Sequence, residues 1–164
     1  MRYFAYGSNM SLTRLKAPKR VSSAQKLWVA KLPEHRLMFH KKSSDGSAKC
    51  DAYYTGDRND FVLGVLFEVD QSEKEQLDRV EGLGSGYQEK EVTLLTDSGE
   101  QNAVVYYAID IDPNLKPYSW YKHHVLVGAR ENNLPTEYVA GIEGVDSIAD
   151  QDRAREFKEL NIYR

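Results

Sequence analysis

The sequence predicts an α+β fold, and three observations carry that prediction. Short apolar runs bounded by turn formers fill roughly the first two-thirds of the chain, and helical periodicity fills the last third. No regular alternation of strand and helix of the βαβ kind joins the two regions. With 164 residues the chain is long enough to bury a substantial core as one domain, residues 1–164, and neither an internal repeat nor a low-complexity linker divides it.

The first strand falls on residues 3–6, where Tyr3, Phe4 and Tyr6 suit a pleated, half-buried surface. Gly7 follows, at a point where the chain must turn or come close to a ligand. Residues 12–16 then read as a short helix capped by Ser11 or Asn9. Backbone N–H groups at such a strand–turn–helix junction, together with the positive end of a helix dipole, favour a bound carboxylate or phosphate. An ordinary strand-to-helix turn is the plain alternative.

Residues 25–30 and 36–39 read as two strands joined across Leu32-Pro-Glu-His35. Residues 41–47 are polar and aperiodic, which predicts a mobile loop. Residues 52–55 and 61–69, separated by the turn formers of 56–60, read as a hairpin, and the second run is apolar enough to be covered on both faces. Ser72 and Glu75 form a capping box for a helix through Leu77 and Val80, which Gly82 ends as a left-handed residue. Residues 88–95 and 103–109 make another strand pair across Asp97-Ser-Gly99. Beyond Pro117 the pattern is helical: one helix from a Ser119 cap to Gly128, a second opening near Pro135, and a polar one over 151–160.

Composition narrows the function. The formal net charge is −3 with both signs interspersed, so the basic stripe of a nucleic-acid binder is missing. No run approaches the eighteen or so apolar residues of a membrane span, and no leader segment opens the chain, which predicts a cytoplasmic protein. Cys50 is the only cysteine, so no intrachain disulfide can form, and it reads as a strand residue. His35, His40, His123 and His124 lack the spacing of a helical zinc site, and no metal or cofactor is expected.

The Tyr-Gly-Ser-Asn run at 6–9 resembles the signature of the γ-glutamylcyclotransferase-like (AIG2-like) family, whose members release 5-oxoproline from γ-glutamyl amides. Residues 80–87, Val-Glu-Gly-Leu-Gly-Ser-Gly-Tyr, resemble its acidic segment, in which a Glu before Gly is the catalytic residue. Tyr121-Lys with residues 127–135 resembles its C-terminal helical signature. The likeness spans Tyr3 to about Tyr138 and leaves the residues from about Val145 outside it. It implies a small mixed β-barrel flanked by helices, with no cofactor. It further implies Glu81 as general acid/base and a substrate pocket built by Tyr3, Phe4, Ala5, Tyr6, Gly7 and Ser8, with Asn9 holding the turn. Tyr87 and Tyr121 match substrate-contacting tyrosines, and Tyr106 or Tyr107 is a further wall candidate. The partner implied is a small γ-glutamyl molecule, with a homodimer allowed. Asn9 stands where the glutathione-specific branch tends to have Leu, which points away from glutathione. The leaving amine stays open among an amino acid, a lysine side chain, a polyamine and a carrier-bound amine.

The residues themselves are compatible with that chemistry. Glu81 at a helix C-terminus meets the negative dipole end, and burial beside Val80, Leu83 and the strands would raise its pKa. A solvated helix-end glutamate is the alternative. The α-amine and γ-carbonyl belong to one substrate side chain, so attack is intramolecular and needs little beyond a base and a shaped pocket. Ser8 as nucleophile would need an adjacent base and an orienting third group. A non-catalytic module that keeps the pocket is the second class of reading, and a structural or partner-binding subunit the third.

Overall fold

Five strands close a mixed barrel in the computed structural model, which describes every residue from Met1 to Arg164. β1 (Arg2–Ala5) pairs antiparallel with β5 (Phe61–Glu68), and β5 pairs with β2 (Gln25–Pro33). β2 meets β6 (Tyr87–Thr96), which pairs with β7 (Gly99–Ala108). A parallel contact between Tyr3 and Val104 returns the ring to β1. β5 is covered on both edges and carries the apolar run, so Val62, Val65, Leu66 and Phe67 are all buried. Each such side chain contributes roughly 1.5–3 kcal/mol by leaving water. Gly64 lets the end of β1 lie close against β5, since a Cβ there would collide with the Ala5 carbonyl oxygen and come within 2.7 Å of Phe4 Cε2.

β3 (His35–Lys42) and β4 (Ala48–Tyr54) form a separate two-stranded sheet. The hairpin expected between residues 52–55 and 61–69 is therefore not made, because β4 pairs with β3 while β5 enters the barrel. Likewise β2 and β3 follow one another through Glu34, at φ 60°, yet lie in different sheets. Strand propensity is local, whereas the partner that buries a strand's apolar face is not. The segment expected to be a mobile loop is the turn that closes β3 on β4. Ser43 N–H donates to the Ser47 carbonyl at 3.1 Å, Gly46 supplies φ 83°, and Asp45 Oδ1 accepts from Ser47 N–H at 3.0 Å.

Helices cover the barrel mostly from the C-terminal part of the chain. α1 (Leu12–Leu15) is capped by Ser11, whose Oγ accepts from Arg14 N–H at 3.4 Å. α2 (Lys74–Glu81) follows a 3₁₀ turn over Gln71–Glu73, and the expected capping box is absent. The Glu73 carboxylate instead accepts the hydroxyls of Ser22 and Ser23, both at 2.6 Å, tying a distant loop to the helix start. Gly82 ends α2 in the left-handed conformation at φ 79°, as expected. α3 (Ser119–Glu131) continues past Gly128 and is preceded by Tyr118 rather than capped by Ser119. Gly128 is an interior contact: a Cβ there would sit 2.6 Å from Met10 Cβ and 2.7 Å from Ser11 N. α3 thus presses on the segment that carries the opening motif. α4 (Thr136–Glu143) starts after Pro135, and α5 (Arg153–Leu160) is capped by Asp152, which accepts from Arg155 N–H at 3.0 Å. No helix is long and apolar enough to cross a membrane.

Candidate active site

The opening motif ends β1 and enters a 3₁₀ turn at Ser8–Met10. Gly7 lies there with φ −111°, so it is not needed for a left-handed turn. It is needed for space: a Cβ would lie 3.1 Å from Cys50 Cβ and 3.3 Å from the Tyr121 hydroxyl. The Gly7 N–H has no hydrogen-bond acceptor inside the protein. Next to it is a small cavity of about 30 Å³ whose walls include Tyr3, Phe4, Tyr6, Gly7, Ser8 and Asn9.

Glu81, the last residue of α2, reaches that cavity. Tyr3 donates its hydroxyl to Glu81 Oε1, and Asn9 Nδ2 donates to the same oxygen at 2.8 Å. Asn9 Oδ1 in turn accepts from Arg20 Nη2 at 2.5 Å. Asn9 therefore joins the carboxyl to a cation rather than holding the turn, a task that falls to Ser11 and the Met10 N–H bond to Gly7. Burial of the Glu81 carboxyl raises its pKa above the usual glutamate value, against the lowering effect of the Tyr3 and Asn9 hydrogen bonds and of the Arg20 and Arg14 charges. The enclosing groups are Tyr3 and Asn9 and not the expected Leu83, which is exposed. As a whole residue Glu81 keeps partial exposure, so a carboxyl desolvated on one side stays reachable from the other.

The tyrosines wall the cavity and also tie the elements together. Tyr87 donates to the Cys50 carbonyl at 2.6 Å, while the Tyr121 hydroxyl accepts from Cys50 N–H at 3.0 Å. Tyr6 donates to the Tyr106 carbonyl at 2.6 Å, and Tyr106 to Asp78 Oδ1 at 2.5 Å. Burial pushes the phenols of Tyr3, Tyr6, Tyr87 and Tyr121 well above their ordinary range, which keeps them neutral.

Of the sequence-derived site residues, all but Ala5 line the cavity. Ala5 is buried against β5, where its carbonyl approaches Gly64. Tyr106 lines the cavity whereas Tyr107 turns outward to Gln88. Cys50 is a wall residue that sequence reasoning placed only on a strand, and burial pushes its thiol up to about 12, so it supplies no thiolate. No histidine lines the cavity, so no imidazole stands beside Ser8 to activate it. Sequence reasoning also missed Arg20, Arg14, Lys41 and Lys49, which border the wider vestibule outside. No motif marks them, because they come from four separate segments.

Barrel, aromatic cavity and enclosed glutamate together define a class: a small barrel protein with a buried carboxyl at an aromatic-walled cavity that opens to a wider vestibule. Comparison with known proteins agrees. Residues 61–142 match the model of the AIG2-like family, a stretch that contains Glu81. The chain is 32% identical over 148 residues to the γ-glutamylcyclotransferase of Bos taurus and 31% identical to that of Homo sapiens, covering 88% of this chain and 78% of each relative. A solved structure described as a γ-glutamyl cyclotransferase superposes with a TM-score of 0.86 at 28% identity, covering 99% of this chain and 98% of that one. The protein belongs to the γ-glutamylcyclotransferase, AIG2-like family.

Proposed function

We propose that this protein is a γ-glutamylcyclotransferase that releases 5-oxoproline and a free amine from a γ-glutamyl amide, with Glu81 as the proton carrier. The observation that carries the reading is the Glu81 carboxyl, buried at the cavity with a raised pKa and held by Tyr3 and Asn9. A carboxyl so placed holds its proton more firmly than a solvated glutamate and can exchange it with a nitrogen brought against it.

The substrate folds back on itself at Glu81, where the cavity opens to a vestibule of about 210 Å³, which makes attack by its α-nitrogen on its γ-carbonyl intramolecular. Ionised Glu81 removes a proton from the α-ammonium. The freed nitrogen attacks the γ-carbon, and the free N–H of Gly7 is a donor for the carbonyl oxygen as it gains charge. Protonated Glu81 then delivers the proton to the departing nitrogen as the amide C–N bond breaks. A second transfer by the same carboxyl takes the remaining proton from the ring nitrogen to the amine. Two protons leave the α-nitrogen and two reach the leaving nitrogen, so Glu81 ends as it began. No covalent bond to the protein forms, which agrees with the lack of an imidazole near Ser8.

Incubation with a panel of γ-glutamyl amides and measurement of 5-oxoproline tests the reading. Release from at least one member, abolished in Glu81→Gln, is expected. No release from any member by folded protein would refute it.

A further inference from the structure

The vestibule outside the cavity carries charge that cyclisation itself does not use. It is about 210 Å³ in volume, and Arg14, Arg20, Lys41, Lys49 and Arg79 border it against a single carboxylate, Glu81. It shares Ser8, Asn9, Glu81, Tyr87 and Tyr121 with the inner cavity, so what projects from the cavity enters it. Two of the cations are already neutralised, Arg14 by Glu159 at 2.5 Å and Lys49 by Asp45 at 2.8 Å.

The other three have only uncharged acceptors. Arg20 donates to Asn9 Oδ1 at 2.5 Å, Lys41 to the Ser85 carbonyl at 3.2 Å, and Arg79 to Gln76 Oε1 at 3.1 Å. Lys41 is only 7% exposed, and Arg20 Nε is buried with no acceptor at all. Burial holds both of these cations below their ordinary pKa against the opposing pull of Glu81 on Arg20 and of Asp110 and Asp45 on Lys41, and neither cation forms an ion pair with any of those carboxylates. Lys41 is also fixed in place. Its stem lies over Gly86, where a Cβ would come within 2.7 Å of Lys41 Cε, and its ammonium sits 4.8 Å from the centre of the Tyr87 ring. A buried cation without an anionic partner costs stability, so a bound anion would complete the arrangement.

The charge balance then identifies the ligand. Resting on the cyclotransferase reading, ionised Glu81 is matched by the substrate's α-ammonium, and one cation is matched by the α-carboxylate of the γ-glutamyl half. Two cations remain for the half that leaves. We infer that the vestibule selects γ-glutamyl amides whose leaving amine is dianionic, a dicarboxylic α-amino acid joined through its nitrogen. The bonds made and broken are those of the cyclisation above, and the product released is the free dicarboxylic amino acid.

The test compares kcat/KM for γ-glutamyl-glutamate, for its neutral isostere γ-glutamyl-glutamine, and for γ-glutamyl-lysine linked through the α-nitrogen. The expected order is glutamate, then glutamine, then lysine, with steps on the order of tenfold that shrink as salt is added. Lys41→Gln lowers the glutamate-to-glutamine ratio by about tenfold, and Arg79→Gln, at an exposed site on α2, lowers it by a smaller factor should the buried variant fail to fold. Equal kcat/KM for the first two amides, or a ratio that survives both substitutions, would overturn the inference. If no amide yields 5-oxoproline the enzymatic reading falls, and calorimetric binding to Glu81→Gln decides the inference separately. Tighter binding of γ-glutamyl-glutamate than of γ-glutamyl-glutamine supports it, and equal affinity overturns it.

Discussion

Replacing Gly7 by alanine tests how tightly the opening motif is built. The added Cβ would stand 3.1 Å from Cys50 Cβ and 3.3 Å from the Tyr121 hydroxyl, inside the 3.5–4.0 Å at which carbon atoms rest in contact. With φ at −111° the backbone accepts alanine without strain, so the whole effect is steric. Cys50 is held within β4 by its pairing with Phe39, which leaves Tyr121 to move. Moving it breaks the 3.0 Å hydrogen bond from Cys50 N–H and leaves that buried donor unpaired, a loss of about 1–3 kcal/mol. For a domain of this size each kcal/mol lowers the melting temperature by about 2–4 °C, so a fall of about 2–12 °C is expected by calorimetry. Gly7 and Tyr121 also wall the cavity, so 5-oxoproline release should drop on the order of tenfold in kcat/KM. In a Tyr121→Phe background, where the hydroxyl is already gone, Gly7→Ala should cost less than it does alone. Wild-type melting and activity for Gly7→Ala, or full additivity of the two changes, would refute the argument.

Three further outcomes are expected. Glu81→Gln should reduce turnover by on the order of a hundredfold or more, yet stabilise the folded protein at neutral pH. The folded-state pKa of Glu81 is raised, so its contribution to stability is present below the unfolded value and lost as pH rises through the folded one; the gain in Glu81→Gln should vanish in acid, as chemical denaturation at several pH values would show. For the wild type, kcat/KM should rise from the acid side with a midpoint above the usual glutamate value of 4.5, and Tyr3→Phe, which removes a donor to the ionised carboxyl, should move that limb to higher pH. A limb that stays put or moves down would contradict the assignment of Tyr3. Gly64→Ala should lower the urea midpoint by the equivalent of about 3 kcal/mol or more, because the new Cβ meets the Ala5 carbonyl where β1 lies against β5; an unchanged midpoint would show that this contact can yield.

Much of the chain was legible because its signals are local. Aromatic and β-branched runs marked the strands, Gly82 marked the end of α2 through its need for positive φ, and residues 6–9 and 80–87 stood out as motifs before any contact was known. The upward pKa shift of Glu81 was foreseen from its helix-end position and from burial, although the groups that enclose it were not, and burial is its leading cause. What the tertiary structure alone decided is which distant segments meet. It paired β4 with β3 and sent β5 into the barrel, turned the polar stretch after Lys41 into a hairpin turn, kept Ala5 out of the cavity while bringing in Cys50, and chose Tyr106 over Tyr107 as a wall residue. It also set Arg20 beside Asn9 and Lys41 over Gly86, giving the vestibule its charge. Those residues carry no pattern in the sequence because a cation's unpaired state depends on what folds around it: burial removes the water that would have solvated it, and only the assembled barrel determines which acceptors are left within reach.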